Sequence, residues 1–277
     1  MHVISSISDM ILARSRLKGT VGFVPTMGYL HEGHLSLMDK ARQQTDNVIA
    51  SIFVNPTQFG PEEDLDSYPR DFERDEKLAE EAGVDFIFYP DEQAMYPNGY
   101  ASYVVPDGLD SHLCGAKRPG HFRGVMTIVL KLFNIIRPTD SYFGQKDIQQ
   151  ARILEQMTAD FHLPIRMHIE PIVREKDGLA MSSRNVYLSP DEREAAVCLS
   201  RAIRLVESHF KDGEREAAVL LTKAEKEIQK QPLAIIDYVE LVDYLTLAPL
   251  KNVTDRAILA LAVYFGQTRL IDNTILE

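Results

Sequence analysis

The sequence predicts an α/β protein in which a doubly wound parallel sheet is followed by a smaller C-terminal α+β domain. Over about the first 170 residues, short apolar runs alternate with longer amphipathic stretches, as in successive βαβ units. Residues 49–54 are apolar almost throughout, which is typical of a strand buried on both faces of a parallel sheet. After about residue 175 the order changes to helices followed by strands. We therefore expect a Rossmann-like domain over residues 1–174 and an α+β domain over residues 175–277.

The elements of the first domain follow from the length and spacing of its apolar runs. Short runs between turn residues are predicted to be strands, and longer stretches with helical spacing are predicted to be helices. The predicted strands cover residues 21–24, 48–54, 86–89, 141–143 and 165–170. The predicted helices cover residues 33–44, 71–82, 125–136 and 148–161.

The second domain is predicted to begin with two helices. Ser189 is suited to cap the first of them and Pro190 to occupy its first position, so we expect one helix over residues 190–210. A second helix is expected over residues 214–230, ending before Pro232. Residues 235–242, 257–265 and a short final run then read as strands of an antiparallel sheet.

The charge of the chain is unevenly distributed. It has 30 Lys and Arg residues against 41 Asp and Glu residues, a net charge of −11. Residues 61–92, which include Glu62 and Asp75, hold 13 acidic and three basic residues and are expected to form a solvated helix and loop. Residues 111–152 instead have a net charge of +5. The overall charge argues against an extended nucleic-acid partner, whereas a local anion site is compatible with it.

The cysteines and the apolar runs indicate in which cellular compartment the protein is expected. Two cysteines, Cys114 and Cys198, exclude a disulfide framework and a four-thiolate zinc site, and both are expected to be small buried hydrophobes. The first 18 residues contain no apolar stretch long enough for a signal peptide. The apolar runs near 124–136 and 257–265 are too short or too interrupted to cross a bilayer. We expect a cytoplasmic protein with no membrane partner.

The first strand leads into a motif suited to phosphate chemistry, His31-Glu32-Gly33-His34. In open α/β sheets, ligands bind at the carboxyl ends of strands, where backbone N–H groups and helix N-termini attract anions. Gly28 and Gly33 would let the backbone approach a phosphate closely. Two histidines three residues apart can lie on one face of a helix and donate to phosphate oxygens as charge develops on leaving pyrophosphate.

Two other interpretations of His31 and His34 compete with this one. A pair of histidines can bind a metal, but the spacing differs from that of helical zinc proteases, and no third ligand is close in sequence. A histidine at the start of a helix is also often structural. The two flanking glycines after a strand favour phosphate binding, so we predict no protein-bound metal.

The His31-Glu32-Gly33-His34 run resembles the signature of the adenylyl-transferring superfamily that includes class I aminoacyl-tRNA synthetases and small nucleotidylyltransferases. Residues 25–34 as a whole resemble the pantoate–β-alanine ligase family. Further blocks that match this family follow in order at residues 51–60, 66–70, 118–125, 143–150 and 177–185. The four-residue motif alone is weak, but the ordered set is highly specific.

The resemblance implies a two-step reaction that consumes ATP. The carboxylate of pantoate attacks the α-phosphorus of ATP and pyrophosphate leaves, and the amine of β-alanine then attacks the acyl-adenylate to give pantothenate and AMP. Mg²⁺ is expected with ATP, held largely by the phosphates. The resemblance implies no organic prosthetic group and suggests a homodimer, and the charge pattern indicates that no tRNA takes part.

The resemblance also assigns roles to residues of the ATP site. His31 and His34 are the implied catalytic histidines, with His34 as proton donor, while Lys146 and Arg184 supply positive charge. Val173 is expected to contact adenine through its backbone. Many family members have Glu at the position of Gln145, and we expect little consequence from this difference. The full implied ATP site comprises Met27, Gly28, Tyr29, Leu30, His31, Glu32, Gly33, His34, Gly144, Gln145, Lys146, Asp147, Val173, Met181, Ser182, Ser183 and Arg184.

The implied acceptor pocket is built from amides. Gln58 and Gln150 match the glutamines that orient pantoate, and Gln58 is also expected near β-alanine. Neutral amides suit this role because they donate to hydroxyl or carboxylate oxygens without a full charge competing for the phosphates. Without the resemblance, Gln58 is equally well explained as a loop residue that caps backbone groups. Lining roles in the same pocket are expected for Phe53, Asn55 and Tyr68.

Two other classes of function remain open at this point. A plain nucleotidylyltransferase would transfer a nucleotide to a phosphorylated acceptor, and it would need cations where this chain offers Gln58 and Gln150. A nucleotide-binding regulatory protein would not need the full set of His31, His34, Lys146 and Arg184, because stabilising a transition state is not its task.

Overall fold

The computed structural model describes residues 1–61 and 63–277, so Glu62, one of the acidic residues counted above, lies outside the described residues. The backbone divides into two compact units. The first comprises residues 1–108, 118–144 and 153–171, and the second comprises residues 109–117, 145–152 and 172–277. Two segments that precede residue 174 thus group with the second unit, and a domain boundary at 174 stays a prediction.

The first unit contains a six-stranded sheet in which every pairing is parallel. Its strands are β1 (His2–Ile4), β2 (Val21–Thr26), β3 (Asn47–Ile52), β4 (Phe86–Phe88), β5 (Asp140–Gly144) and β6 (Arg166–Glu170). The spatial order is β1-β4-β3-β2-β5-β6. After β2 the chain adds β3 and β4 on one side of it, and it then returns to add β5 and β6 on the other side. This confirms the predicted doubly wound α/β fold and makes the carboxyl ends of β2 and β5 its topological switch point.

The helices before residue 171 are α1 (Ile7–Arg16), α2 (Glu32–Gln44), α3 (Phe72–Glu81), α4 (Glu92–Met95), α5 (Leu113–Lys117), α6 (His121–Ile136) and α7 (Ile148–Asp160). The short elements β1, α4 and α5 were not predicted, and neither was α1, which buries only Met10 and so has a weak apolar pattern. Helix α6 begins at His121, four residues before the predicted start, because Gly120 takes a left-handed conformation that starts it there. The core of the first unit buries apolar residues of β2, β3, β4 and α2.

The second unit contains α8 (Pro190–Ala196), α9 (Cys198–Lys211) and α10 (Ala217–Gln229). The prediction of a single helix over 190–210 is wrong. At Val197 the N–H bonds to the carbonyl of Glu194 instead of the residue four before it, so the helical ladder is interrupted. The predicted cap is confirmed, since the Ser189 hydroxyl and the Glu192 carboxylate each accept from the other's backbone N–H.

The sheet of the second unit is antiparallel, with β7 (Ala234–Asp243), β8 (Ala257–Phe265) and β9 (Thr268–Leu276) in that spatial order. The central strand β8 is buried along nearly its whole length and packs in one core with apolar residues of α9 and α10. This confirms the predicted C-terminal α+β domain class. Cys114 and Cys198 are both buried free thiols, as expected. Among the described residues, no helix combines the length and apolar character needed to cross a bilayer.

Candidate active site

The segment that follows β2 makes a tight turn before α2. Gly28 (φ 83°) and Tyr29 (φ 51°) both lie in the left-handed region, which a tyrosine rarely adopts. The turn is held by the carboxylate of Asp75, which accepts hydrogen bonds from the backbone N–H of Tyr29 at 2.6 Å and of Leu30 at 2.7 Å. A side chain at position 28 would meet Asp75 and Ile52 at 3.0 Å, so the close approach requires glycine. These contacts hold the turn that leads into α2.

Asp75 corrects the expectation that residues 61–92 are simply solvated. It lies on α3, and only 1% of it is exposed, although most acidic neighbours on this helix face solvent. Burial raises the pKa of the Asp75 carboxyl, against the two backbone donors at Leu30 and Tyr29, which lower it. Arg74 lies 3.6 Å from this carboxylate. The acidic segment therefore contributes a buried anchor to the histidine loop.

The two histidines lie against each other at the start of α2, with ring centroids 4.0 Å apart, as their spacing predicted. His31 is the N-cap, and its Nδ1 accepts from the backbone N–H of Gly33 at 3.1 Å. His34 turns back, and its Nδ1 accepts from the backbone N–H of His31 at 3.3 Å. Because each Nδ1 is an acceptor, each neutral ring carries its proton on Nε2. The capping arrangement thus makes both rings Nε2–H donors.

Gln58 ends a short 3₁₀ helix, Pro56–Gln58, that follows β3. Its Oε1 accepts from Asn55 Nδ2 at 2.9 Å, and its Nε2 lies 3.2 Å from Met27 Sδ. Asn55 is 1% exposed, and Phe53 and Tyr68 are also buried. Within the first unit, Gln58 therefore lies beside the segment that carries the histidines.

A charged network holds the backbone of Gln58. The Nδ1 of His121 lies 2.8 Å from the Gln58 carbonyl oxygen, which can only accept, so this nitrogen carries the proton. His121 Nε2 then accepts from Arg118 at 3.1 Å, and Arg118 Nε donates to Glu63 at 2.7 Å. Burial opposes the charged form of Glu63, but Arg118, together with the Gly60 backbone and His121, lowers the pKa of Glu63 below its usual value. The predicted block at 118–125 thus supports the Gln58 loop.

In the second unit, Lys146 lies in a 3₁₀ turn, Gln145–Asp147, directly after β5. Asn273 on β9 holds this turn by donating from Nδ2 to the carbonyls of Gln145 and Lys146, both at 2.9 Å. The Gln145 side chain donates to Asn273 Oδ1 at 3.3 Å. Lys146 Nζ lies 3.7 Å from the half-exposed Asp147 carboxylate. The small consequence expected for Gln145 in place of Glu stays a prediction.

Gln150 lies in the first turn of α7 and is half-buried. Its neighbour Gln149 is buried and structural, since its amide donates to the carbonyls of Leu109 and His112. Gln150 therefore keeps some exposed surface beside the buried Gln149, and its role in the acceptor pocket stays a prediction.

The loop that carries Met181 to Arg184 folds back on the segment near Val173. The N–H of Met181 donates to the Val173 carbonyl at 3.0 Å, and Asn185 Nδ2 donates to Glu175 at 2.8 Å. Ser182 caps the following 3₁₀ helix, Ser183–Tyr187, by accepting from Arg184 N. Ser183 is buried, and Met181, Ser182 and Arg184 are half-buried. The structure thus brings Val173 and the predicted loop together.

Sequence reasoning missed the residues that support these side chains, chiefly Asp75 and Asn273. Asp75 was hidden in an acidic run, and Asn273 lies 127 residues from the lysine whose carbonyl it binds. No local pattern distinguishes such residues from solvated ones. Among the described residues, no group of three or more His, Cys, Asp or Glu side chains is placed to hold a metal ion.

A parallel sheet with histidine donors and a glycine turn at its topological switch point defines an α/β protein suited to bind an anionic ligand such as a nucleotide. Comparison with known proteins identifies the family. The family model described as pantoate-beta-alanine ligase matches residues 1–275. The chain belongs to this family, which confirms the resemblance noted above.

Individual relatives match over the full length of the chain. It is 54% identical over 280 residues to the pantothenate synthetase of Acetivibrio thermocellus, covering 100% of both chains. The crystal structure of pantothenate synthetase from Thermus thermophilus has a TM-score of 0.94 at 45% identity, with 99% of each chain covered. The ligase of Francisella tularensis, whose structure is described as complexed with beta-gamma ATP and beta-alanine, has a TM-score of 0.83 at 34% identity, covering 99% of this chain and 97% of that one.

Proposed function

We propose that this protein condenses pantoate with β-alanine in an ATP-dependent reaction that releases AMP and pyrophosphate, a step of pantothenate biosynthesis. The observation that carries the proposal is the full-length family match over a chain whose histidine pair lies at the switch point of the sheet. The relative from Francisella tularensis, named as a complex with ATP and β-alanine ligands, supports the same substrates.

The first half-reaction needs donors for the phosphates of ATP. The Nε2–H groups of His31 and His34 suit this task, since preorganised donors stabilise charge as it develops on the leaving pyrophosphate. The resemblance assigns His34 as the proton donor; with Nδ1 accepting from the His31 N–H, its neutral ring offers the Nε2–H as a hydrogen bond to a phosphate oxygen and keeps the proton. Lys146 and Arg184 are assigned as the cations that balance the remaining charge.

The rest of the implied ATP site falls into three segments. Residues 27–34 offer backbone groups of the turn and of the start of α2, and residues 144–147 offer the lysine turn. The third segment comprises Val173 and residues 181–184. The Met181 N–H donates to the Val173 carbonyl, which supports the assignment of both parts of this third segment to ATP binding.

Pantoate is assigned to Gln58 and Gln150, and β-alanine to Gln58. An amide can donate to the hydroxyl or carboxylate of the acid without adding charge. The carboxylate of pantoate forms a bond to the α-phosphorus as the bond to pyrophosphate breaks. The amine of β-alanine then forms the amide bond as AMP leaves, and the amine gives up a proton.

Mg²⁺ enters as part of the substrate Mg·ATP, held largely by phosphate oxygens and water, because this ion keeps several waters and needs few protein ligands. No protein ligand is assigned to it. A cytoplasmic location and a homodimer also belong to this proposal, and the dimer is tested by sedimentation of the purified protein.

The decisive experiment is isotope exchange between pyrophosphate and ATP. We expect exchange to require pantoate, and AMP to form only when ATP, pantoate and β-alanine are all present. A panel of other carboxylic acids serves as the control for selectivity. Exchange that runs with a phosphorylated acceptor and without pantoate would instead establish a nucleotidylyltransferase, and no AMP under any condition would favour a regulatory nucleotide-binding protein.

A further inference from the structure

The side-chain amide of Gln58 stands at the end of a hydrogen-bonded chain that begins at Tyr96, a residue outside every motif that carried the family resemblance. Tyr96 follows α4, and its hydroxyl donates to Asn55 Oδ1 at 2.8 Å. The Thr57 hydroxyl donates to the same oxygen at 3.0 Å. Asn55 is almost completely buried, so its amide must find partners within the protein.

The orientation of the Asn55 amide is determined by the carbonyl of Gly124 on α6. Asn55 Nδ2 lies 3.2 Å from this carbonyl oxygen, which can only accept a hydrogen bond. A reversed amide would bring two acceptors together there. The amide nitrogen therefore faces α6, and Oδ1 faces the hydroxyls of Tyr96 and Thr57, which lie 3.1 Å from each other. Tyr96 is the nearer donor to Oδ1, at 2.8 Å.

The orientation of Asn55 in turn determines that of Gln58. Since Asn55 Nδ2 is a donor, the Gln58 atom 2.9 Å from it must be the acceptor Oε1. The other atom of the Gln58 amide is then Nε2, which has two N–H donors and lies 3.2 Å from Met27 Sδ. A thioether sulfur is a weak acceptor, so a substrate oxygen can compete for these donors.

We propose that Tyr96 is a positioning residue that acts through Asn55 to hold Gln58 with its N–H groups toward an acceptor oxygen of the hydroxy acid substrate. This inference rests on the proposed function. It adds that the pocket offers hydrogen-bond donors to the substrate at Gln58. The substrate group at Gln58 is then a hydrogen-bond acceptor, a carboxylate or hydroxyl oxygen. Burial raises the pKa of Tyr96 to about 12, so its hydroxyl keeps the proton that it donates throughout the neutral range.

The test compares Tyr96→Phe with Tyr100→Phe. The ring of Tyr100 packs edge-on against that of Tyr96, with centroids 5.1 Å apart, so its hydroxyl is a matched control from the same aromatic cluster. We expect Tyr96→Phe to raise the KM for pantoate about fivefold to tenfold, the effect of one hydrogen bond, and to leave the KM for ATP unchanged. Tyr100→Phe should leave both values near those of the unmodified protein.

A double-mutant cycle separates positioning from a general structural role. Because Tyr96 acts through Gln58, Tyr96→Phe should have no further effect on the KM for pantoate in a Gln58→Ala background. The same fold-change in both backgrounds, or an equal effect of Tyr100→Phe, would overturn the inference. Thr57→Val removes the other hydroxyl beside Asn55 Oδ1, and it should shift the KM for pantoate in the same direction.

The two proposals fail in different ways. If the unmodified protein shows no pantoate-dependent exchange, the proposed function is wrong and the inference falls with it. If exchange depends on pantoate but Tyr96→Phe and Thr57→Val both leave its KM unchanged while the variants unfold in urea like the unmodified protein, the inference alone is wrong.

Discussion

The turn before His31 depends on one buried carboxylate, and replacing Asp75 with asparagine tests this dependence. The carboxylate accepts from two consecutive backbone N–H groups, at Tyr29 and Leu30, in a turn whose left-handed residues are otherwise disfavoured. Asparagine has nearly the same volume but offers a single acceptor oxygen, so one N–H group must face an amide NH₂ instead.

The magnitude follows from the number of bonds lost. A buried donor without its partner costs about 1–3 kcal/mol, so we expect the free energy of unfolding of Asp75→Asn to fall by that amount. The backbone that carries both histidines also loses one of its two restraints. Misplacement of catalytic groups by about 1 Å can cost about 100-fold, so we expect pyrophosphate exchange to slow by about 10- to 100-fold.

Urea unfolding and pantoate-dependent exchange provide the two measurements, and Asp71→Ala provides the matched control. Asp71 caps the same helix α3 by accepting from Arg74 N at 3.1 Å. Loss of this cap should cost about 1 kcal/mol of stability and leave the exchange rate unchanged. The role assigned to Asp75 is refuted if Asp75→Asn exchanges at the unmodified rate, or if Asp71→Ala slows exchange as much as Asp75→Asn does.

Three further predictions follow from other contacts. His34→Ala should slow adenylate formation about 10²- to 10³-fold, as for loss of one transition-state donor, with a smaller change in ATP binding; weaker ATP binding with an intact turnover rate would contradict this role. Gly124→Ala should destabilise the protein by about 1–3 kcal/mol in urea unfolding, because the added carbon would overlap the Thr57 carbonyl group. Gly60→Ala is the control, because Gly60 has no left-handed backbone and an added carbon there would meet its nearest atom, in the Glu63 side chain, at 3.6 Å; equal destabilisation by both would contradict the overlap. Burial opposes the charge of Asp140, but hydrogen bonds from Arg166, His168 and Thr139 outweigh it and lower its pKa below 3.8. Asp140 should therefore stabilise the fold above that pH and lose this effect as the pH falls through the lowered value, so Asp140→Asn should weaken the acid dependence of the urea midpoint, and an unchanged dependence would refute this.

Sequence patterns predicted well those elements whose secondary structure depends on their own residues. Strand β3 and helix α10 are recognisable because burial on both faces or along one face leaves a direct pattern of apolar residues. The break at Val197 left no such signal, since the residues on both sides of it have helical spacing. The start of α6 was missed because it depends on the left-handed conformation of Gly120 rather than on apolar spacing.

The sequence by itself determined the fold class and the family resemblance, because these depend on local residue types and on short motifs in a fixed order. The residues assigned to ATP stay a prediction. Only the tertiary structure decided how those residues are held. Asp75 reaches the turn from 45 residues away from Leu30, and Asn273 reaches the lysine turn from the last strand. The polarity of Gln58 likewise depends on a carbonyl of α6 and a hydroxyl after α4. The physical reason is that a buried hydrogen-bonding group is satisfied by whatever the fold places beside it, and that neighbour is seldom close in sequence.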